Sequence, residues 1–139
     1  MSDAAAIERM KAEILKVVTD LDHVSFVNLR DRVDGFQDKD GVVCSLDFPD
    51  DRGYVVLWAQ VSEPASAALN ELLAEGKIHH APCESLVYLI DGGMLKLPIV
   101  KRVPPKGGFK KEHWLPLVFR PGPAKTKSDA AIERARAAK

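Results

Sequence analysis

The chain has 139 residues, of which 46% are hydrophobic and 29% charged, a composition typical of one globular domain. It contains no run of about 18 apolar residues, which excludes a membrane span, and its early acidic residues argue against a secretion signal, so we expect a cytoplasmic protein. The net charge is zero, but residues 1–75 hold seven basic and fifteen acidic side chains, and residues 76–139 hold thirteen and five. This split predicts either a dipolar surface or two halves that face each other.

The first predicted element is a helix over residues 3–19. Its apolar side chains recur with a period near 3.6 residues and form one stripe. They are Ile7, Met10, Ile14, Val17, Val18 and Leu21. After a short extended piece, Ser25 is placed to cap a second helix over Phe26–Val33, and Gly35 to end it.

The next segment, residues 37–61, predicts an inserted β-hairpin. Its polar start, Gln37–Gly41, is typical of a turn, whereas residues 42–48 alternate between apolar and polar side chains as a half-buried strand does. Residues 54–59 are rich in β-forming residues, and the turn cluster at residues 49–53 separates the two strands.

A third helix is predicted over residues 62–75, because Ser62 is a good N-cap and Pro64 fits the first turn. Its apolar stripe is Ala65, Ala68, Leu69, Leu72 and Leu73. Gly76 ends it. Strands are then predicted at residues 77–80, 86–90 and 94–100, and Pro98 argues that the last is an edge strand.

This order of elements resembles a winged helix-turn-helix domain. The resemblance is carried by the stripe of residues 7–21, by residues 24–33, and by residues 62–78 with the strands that follow. It is a resemblance of fold, covering roughly residues 3–100, and it implies an α+β winged-helix-like core of three helices and a small antiparallel sheet. The domain is then residues 1–103, with residues 104–120 docking on it through their apolar bulk and residues 121–139 as a loose or helical basic tail.

In a winged helix the third helix usually enters the DNA major groove. Here that helix contains no Lys or Arg, and its carboxylates would be repelled by phosphates. Its outward residues Glu63, Asn70 and Glu71 suit a protein partner or a second copy of the chain better than they suit DNA. A winged-helix interaction or dimerisation module is therefore one of two functional hypotheses.

The other hypothesis is DNA or RNA binding by the basic C-terminal extension, which has nine Lys or Arg and one acid over residues 96–127. Two aromatic side chains within it could stack on bases. The candidate nucleic-acid-binding residues are Lys101, Arg102, Lys106, Phe109, Lys110, Lys111 and Trp114. The alternative is a solvated basic face with two core aromatics.

No pattern in the chain predicts catalysis, a cofactor or a metal. The nearest candidate is His79, His80 and Cys83, but adjacent side chains on a strand point to opposite faces and do not converge on one ion. Cys44 and Cys83 lack CxxC spacing and are expected to be buried thiols, with a single disulfide between them left open. We therefore expect a non-enzymatic, nucleic-acid-associated or regulatory module.

Overall fold

A computed structural model describes residues 4–46, 55–93, 95–100 and 111–124. Within them the chain is an α+β fold, the class expected from the sequence. The elements, in chain order, are α1 (Ala4–Leu21), α2 (Phe26–Arg32), β1 (Gln37–Leu46), β2 (Val55–Val61), α3 (Glu63–Ala74), β3 (Ile78–Pro82), α4 (Ser85–Asp91), β4 (His113–Trp114) and β5 (Leu117–Pro121).

The three helices expected from hydrophobic periodicity are present, and α1 packs along α3. The stripe of each helix faces the core, because burial of one apolar face is what holds a helix of this length in place. The buried members are Met10, Ile14 and Val18 on α1, Phe26, Val27 and Leu29 on α2, and Ala65, Ala68, Leu69, Leu72 and Leu73 on α3.

As predicted, Ser25 caps the start of α2 and Ser62 caps the start of α3. The Ser25 hydroxyl accepts a bond from the Asn28 backbone N–H at 3.2 Å, and the Asn28 side chain accepts the Ser25 N–H at 3.0 Å. At α3 the Ser62 hydroxyl caps the helix and also donates to the Gly35 carbonyl at 2.7 Å. Ser62 therefore ties the start of α3 to the turn that follows α2.

The predicted hairpin is confirmed as the antiparallel pair β1 and β2. The predicted turn at Gln37–Gly41 is wrong, because Val61 pairs with both Gln37 and Val42 across a bulge, and the polar residues stay within the strand. A Cβ at Gly41 would collide with the Val61 carbonyl, so this close approach needs glycine. Strand β4 then adds to β2 in parallel and completes the sheet β1-β2-β4.

The second sheet pairs β3 with β5 in antiparallel register, from Ile78 opposite Pro121 to Pro82 opposite Leu117. Val24, between α1 and α2, adds an antiparallel bridge to Phe119, with backbone bonds of 3.0 and 2.7 Å. The C-terminal strand β5 thus lies between Val24 and β3. The described part of the 104–120 segment is integral to both sheets.

Two strand predictions are wrong. Residues 86–90 belong to α4, and of residues 94–100 the described ones contain only an isolated bridge from Ile99 to Trp114. An apolar run of five residues fits a strand or a helix equally well, so periodicity alone does not decide between them. Gly92, with φ of +102°, ends α4 in the left-handed conformation that favours glycine.

Aromatic side chains join the two sheets and the helices into one core. The Trp58 ring stacks on Phe26 at 6.1 Å and lies 5.4 Å from the Tyr88 ring. The Trp114 ring meets Tyr88 edge-on at 5.1 Å, and its indole N–H donates to the Leu57 carbonyl at 3.2 Å. Such packing suits large rings, and the buried indole donor has a partner.

Tyr88 is the buried side chain of α4, and its hydroxyl connects three parts of the chain. It donates to the Leu117 carbonyl at 2.6 Å and accepts the Phe26 backbone N–H at 3.1 Å. Burial raises the pKa of the phenol far above its ordinary value, so the hydroxyl keeps its proton and its donor role. The bond to Phe26 also satisfies an N–H in the first turn of α2.

We predict that Tyr88→Phe destabilises the protein by about 1–3 kcal/mol, because the Leu117 carbonyl and the Phe26 N–H are deprived of a buried partner while the ring still fills its site. Urea unfolding followed by circular dichroism measures the change. Thr19→Val, which removes an exposed hydroxyl from α1, is the matched control and should stay within about 0.5 kcal/mol. Equal stability of the two variants would contradict the role given to the Tyr88 hydroxyl.

Candidate interaction surface

The face of α4 opposite Tyr88 carries large apolar side chains exposed to solvent. Leu86, Leu89 and Ile90 are 54%, 62% and 75% exposed, and Val87 is 36% exposed. Leu86, Leu89 and Ile90 stand at positions i, i+3 and i+4, so they share one side of the helix. Single exposed apolar residues are common on protein surfaces, whereas four on one seven-residue helix form a local apolar patch.

Helix α4 is fixed in this orientation by the inward bonds of Tyr88 and by contacts at its C-terminal end. The Ser25 hydroxyl, which caps α2, also donates to the Asp91 carboxylate at 2.7 Å. At the exit from the helix, the Gly93 N–H donates to the Tyr88 carbonyl at 3.0 Å. A Cβ at Gly93 would come within 2.9 Å of the Val27 side chain. The backbone that follows α4 therefore lies in close contact with α2. The apolar face is therefore held outward by a folded core.

Carboxylates stand at both ends of α4. Glu84, exposed, precedes its first residue, and Asp91 is its last. Burial raises the pKa of the neighbouring Cys83 thiol to about 11, with further contributions from Asp91 and then Glu84. Cys83 thus remains a protonated thiol at neutral pH, which argues against nucleophilic chemistry at this site.

On the polar face of α3, two carboxylates form ion pairs with a lysine of α1. The Lys11 ammonium lies 3.2 Å from the Glu71 carboxylate and 3.0 Å from that of Glu75. Of the three α3 residues predicted to meet a protein partner, Glu63 and Asn70 are exposed, while Glu71 makes this ion pair. All three of these side chains are exposed, and Glu71 is the one that also contacts Lys11.

A small cavity of about 70 Å³ lies between α3 and β1. It has room for about two waters, and it is far below the roughly 300 Å³ of a typical ligand pocket. The residues around it are mostly apolar, and the polar ones are Cys44, Ser45, Ser66, Asn70 and His80. The cavity lies where β1 flanks α3, and it is smaller than a pocket for a drug-sized ligand.

The basic segment is described only in part. Lys101, Arg102, Lys106, Phe109 and Lys110 fall on residues 101–110, outside the described residues. Lys111 is exposed, and its carbonyl lies 2.9 Å from the His113 ring nitrogen Nδ1.

Trp114 requires a correction. Its indole is 0% exposed within the core, so it cannot stack on a base without unfolding β4. The alternative of a core aromatic, which the sequence left open, holds for Trp114. A second basic side chain of the segment, Arg120, is engaged as well, because its guanidinium bonds to the Asp22 carboxylate at 3.2 Å.

The histidine and cysteine side chains do not form a metal centre. Among the described residues, no three His, Cys, Asp or Glu side chains gather in a way that could hold an ion. His79 and His80 are both buried; His79 bonds to the Gly122 carbonyl at 2.8 Å, and the His80 ring packs on Phe119 at 5.1 Å. Cys44 and Cys83, both described, are half-buried rather than buried, and no disulfide joins them.

Sequence reasoning missed α4 and its outward face. The run Leu86–Ile90 predicts a buried strand, because five consecutive apolar residues normally lie in a core. The signal that pointed to a helix was Gly92, placed just beyond the run as a C-terminal cap. Nothing in the sequence marks which face of the helix is left in solvent.

Comparison with protein-family models, with curated proteins and with solved structures gives no match for this chain. In the described residues, none of the helices has the length and apolar character needed to cross a membrane.

We predict that Lys11→Met lowers stability near neutral pH. Lys11 lowers the pKa of Glu75, chiefly through their hydrogen bond, and Glu75 raises that of Lys11. The ion pair therefore makes its full contribution to the free energy of unfolding between pH 4.5, the ordinary pKa of Glu75, and pH 10.5, that of Lys11. It disappears as pH falls through the lowered pKa of Glu75, or rises through the raised pKa of Lys11.

Urea midpoints measured across pH test this expectation. The difference between wild type and Lys11→Met should shrink toward acid and toward strong alkali. Lys16→Met is the control, because the Lys16 ammonium pairs with Asp20 on its own helix and is 78% exposed, so its effect should be negligible. A difference that persists at strongly acidic pH would show that the Lys11 stem, not its charge, carries the effect.

Proposed function

We propose that this chain is a non-enzymatic interaction module that docks on another protein through α4. One observation carries the proposal: Leu86, Leu89 and Ile90 are exposed side by side on a helix that the core holds rigidly. A preformed apolar ridge gives up little conformational entropy when it binds, which favours affinity. The exposed Glu84, just before the helix, supplies a polar group of the kind found at the rim of such contact sites.

We further propose that the core is winged-helix-like. Helix α1, the bridge at Val24, α2, α3 and the antiparallel pair β3–β5 follow one another in the order of that fold. Two segments extend it: the β1–β2 hairpin before α3, and residues 83–116 between β3 and β5. Residues 83–116 join β3 to β5, as the wing joins the two strands of a winged helix, and they contain α4.

The contacts of α3 support a protein partner rather than the DNA major groove. Glu71 and Glu75 hold the Lys11 ammonium on one side of the helix, and β1 flanks α3 beside the small cavity. Glu63 and Asn70 are exposed as well, and neither carries a positive charge. The charge of DNA phosphates is neutralised by Lys and Arg, and α3 contains neither.

Photo-cross-linking in the source organism tests docking through α4. We expect benzoylphenylalanine at position 90 to give one discrete covalent adduct with a protein, because Ile90 is the most exposed apolar residue on the helix. The same residue at Ala12, exposed on α1, is the control and should give none. The captured protein, purified, should then form a complex with the wild-type chain in gel filtration.

Leu86→Lys and Leu89→Lys should each abolish that complex while circular dichroism spectra stay unchanged, since both side chains lie outside the core. Equal adducts at positions 12 and 90, or no adduct at either, would overturn the proposal.

Nucleic-acid binding by the basic segment is the second candidate. It is favoured by the charge of residues 96–127, in which Lys96 and Lys111 are exposed. Such binding would be weak, largely independent of sequence and steeply reduced by salt, because affinity comes from counterion release. Arg120, bound to Asp22, and the buried Trp114 would take no part.

Titration of mixed single-stranded DNA and RNA at two salt concentrations tests the second candidate. Changing Lys106, Lys110 and Lys111 together to Ala should lower affinity and flatten the salt dependence by up to about three units, since each phosphate that is no longer neutralised reduces the slope by about one. The charge-matched control is Lys16, Lys39 and Lys77 to Ala, which should leave affinity unchanged. No binding by wild type at about 50 mM salt would eliminate this candidate.

A further inference from the structure

We draw no further inference here: the strongest candidate, the ridge of exposed apolar side chains on α4, carries nothing beyond the docking already proposed, because nothing in the described part of the structure shows what covers it.

Discussion

The hydroxyl of Tyr88 is the constraint on which the arrangement of the core depends. One oxygen donates to the Leu117 carbonyl and accepts the Phe26 N–H, so it links α4 to β5 and to the first turn of α2. Both backbone groups are buried and need a partner. Because Tyr88 must point inward to reach them, the side chains on the opposite side of α4 must point outward. The exposed apolar ridge follows from this geometry.

The same constraint explains why the two long segments that interrupt the core fold together. Trp58, from the β1–β2 hairpin, and Trp114, from the segment before β5, both contact the Tyr88 ring. Strands β2 and β4 pair in parallel beside them, with Val56 opposite Trp114. Each segment buries its aromatic residue against the other, so neither has a complete apolar environment alone.

The sequence predicted the features that depend on local order. Helix stripes and serine caps are periodic or adjacent in the chain, so Ser25 and Ser62 could be identified without a structure. The pairing of β3 was missed because its partner, β5, lies 35 or more residues away, and nothing local distinguishes Leu117–Pro121 from the nearer run Leu86–Ile90. The same ambiguity hid the candidate surface: five apolar residues predict burial, whereas on a helix only one face can be buried.

Ion pairs within the fold engage charged side chains from both the acidic and the basic half of the chain. Arg120 joins Asp22 across the two halves, while Lys11 pairs with Glu71 and Glu75 inside the acidic one. Each basic group engaged in this way is withdrawn from phosphate binding, and each carboxylate so engaged is withdrawn from a basic partner. Glu84 and Asp91 take part in none of these described ion pairs, and they flank the one described helix that presents a ridge of apolar side chains to solvent. Asp91, three residues after the buried Tyr88, bonds to Ser25, so the exposed side of α4 combines its apolar ridge with the Glu84 carboxylate at its start.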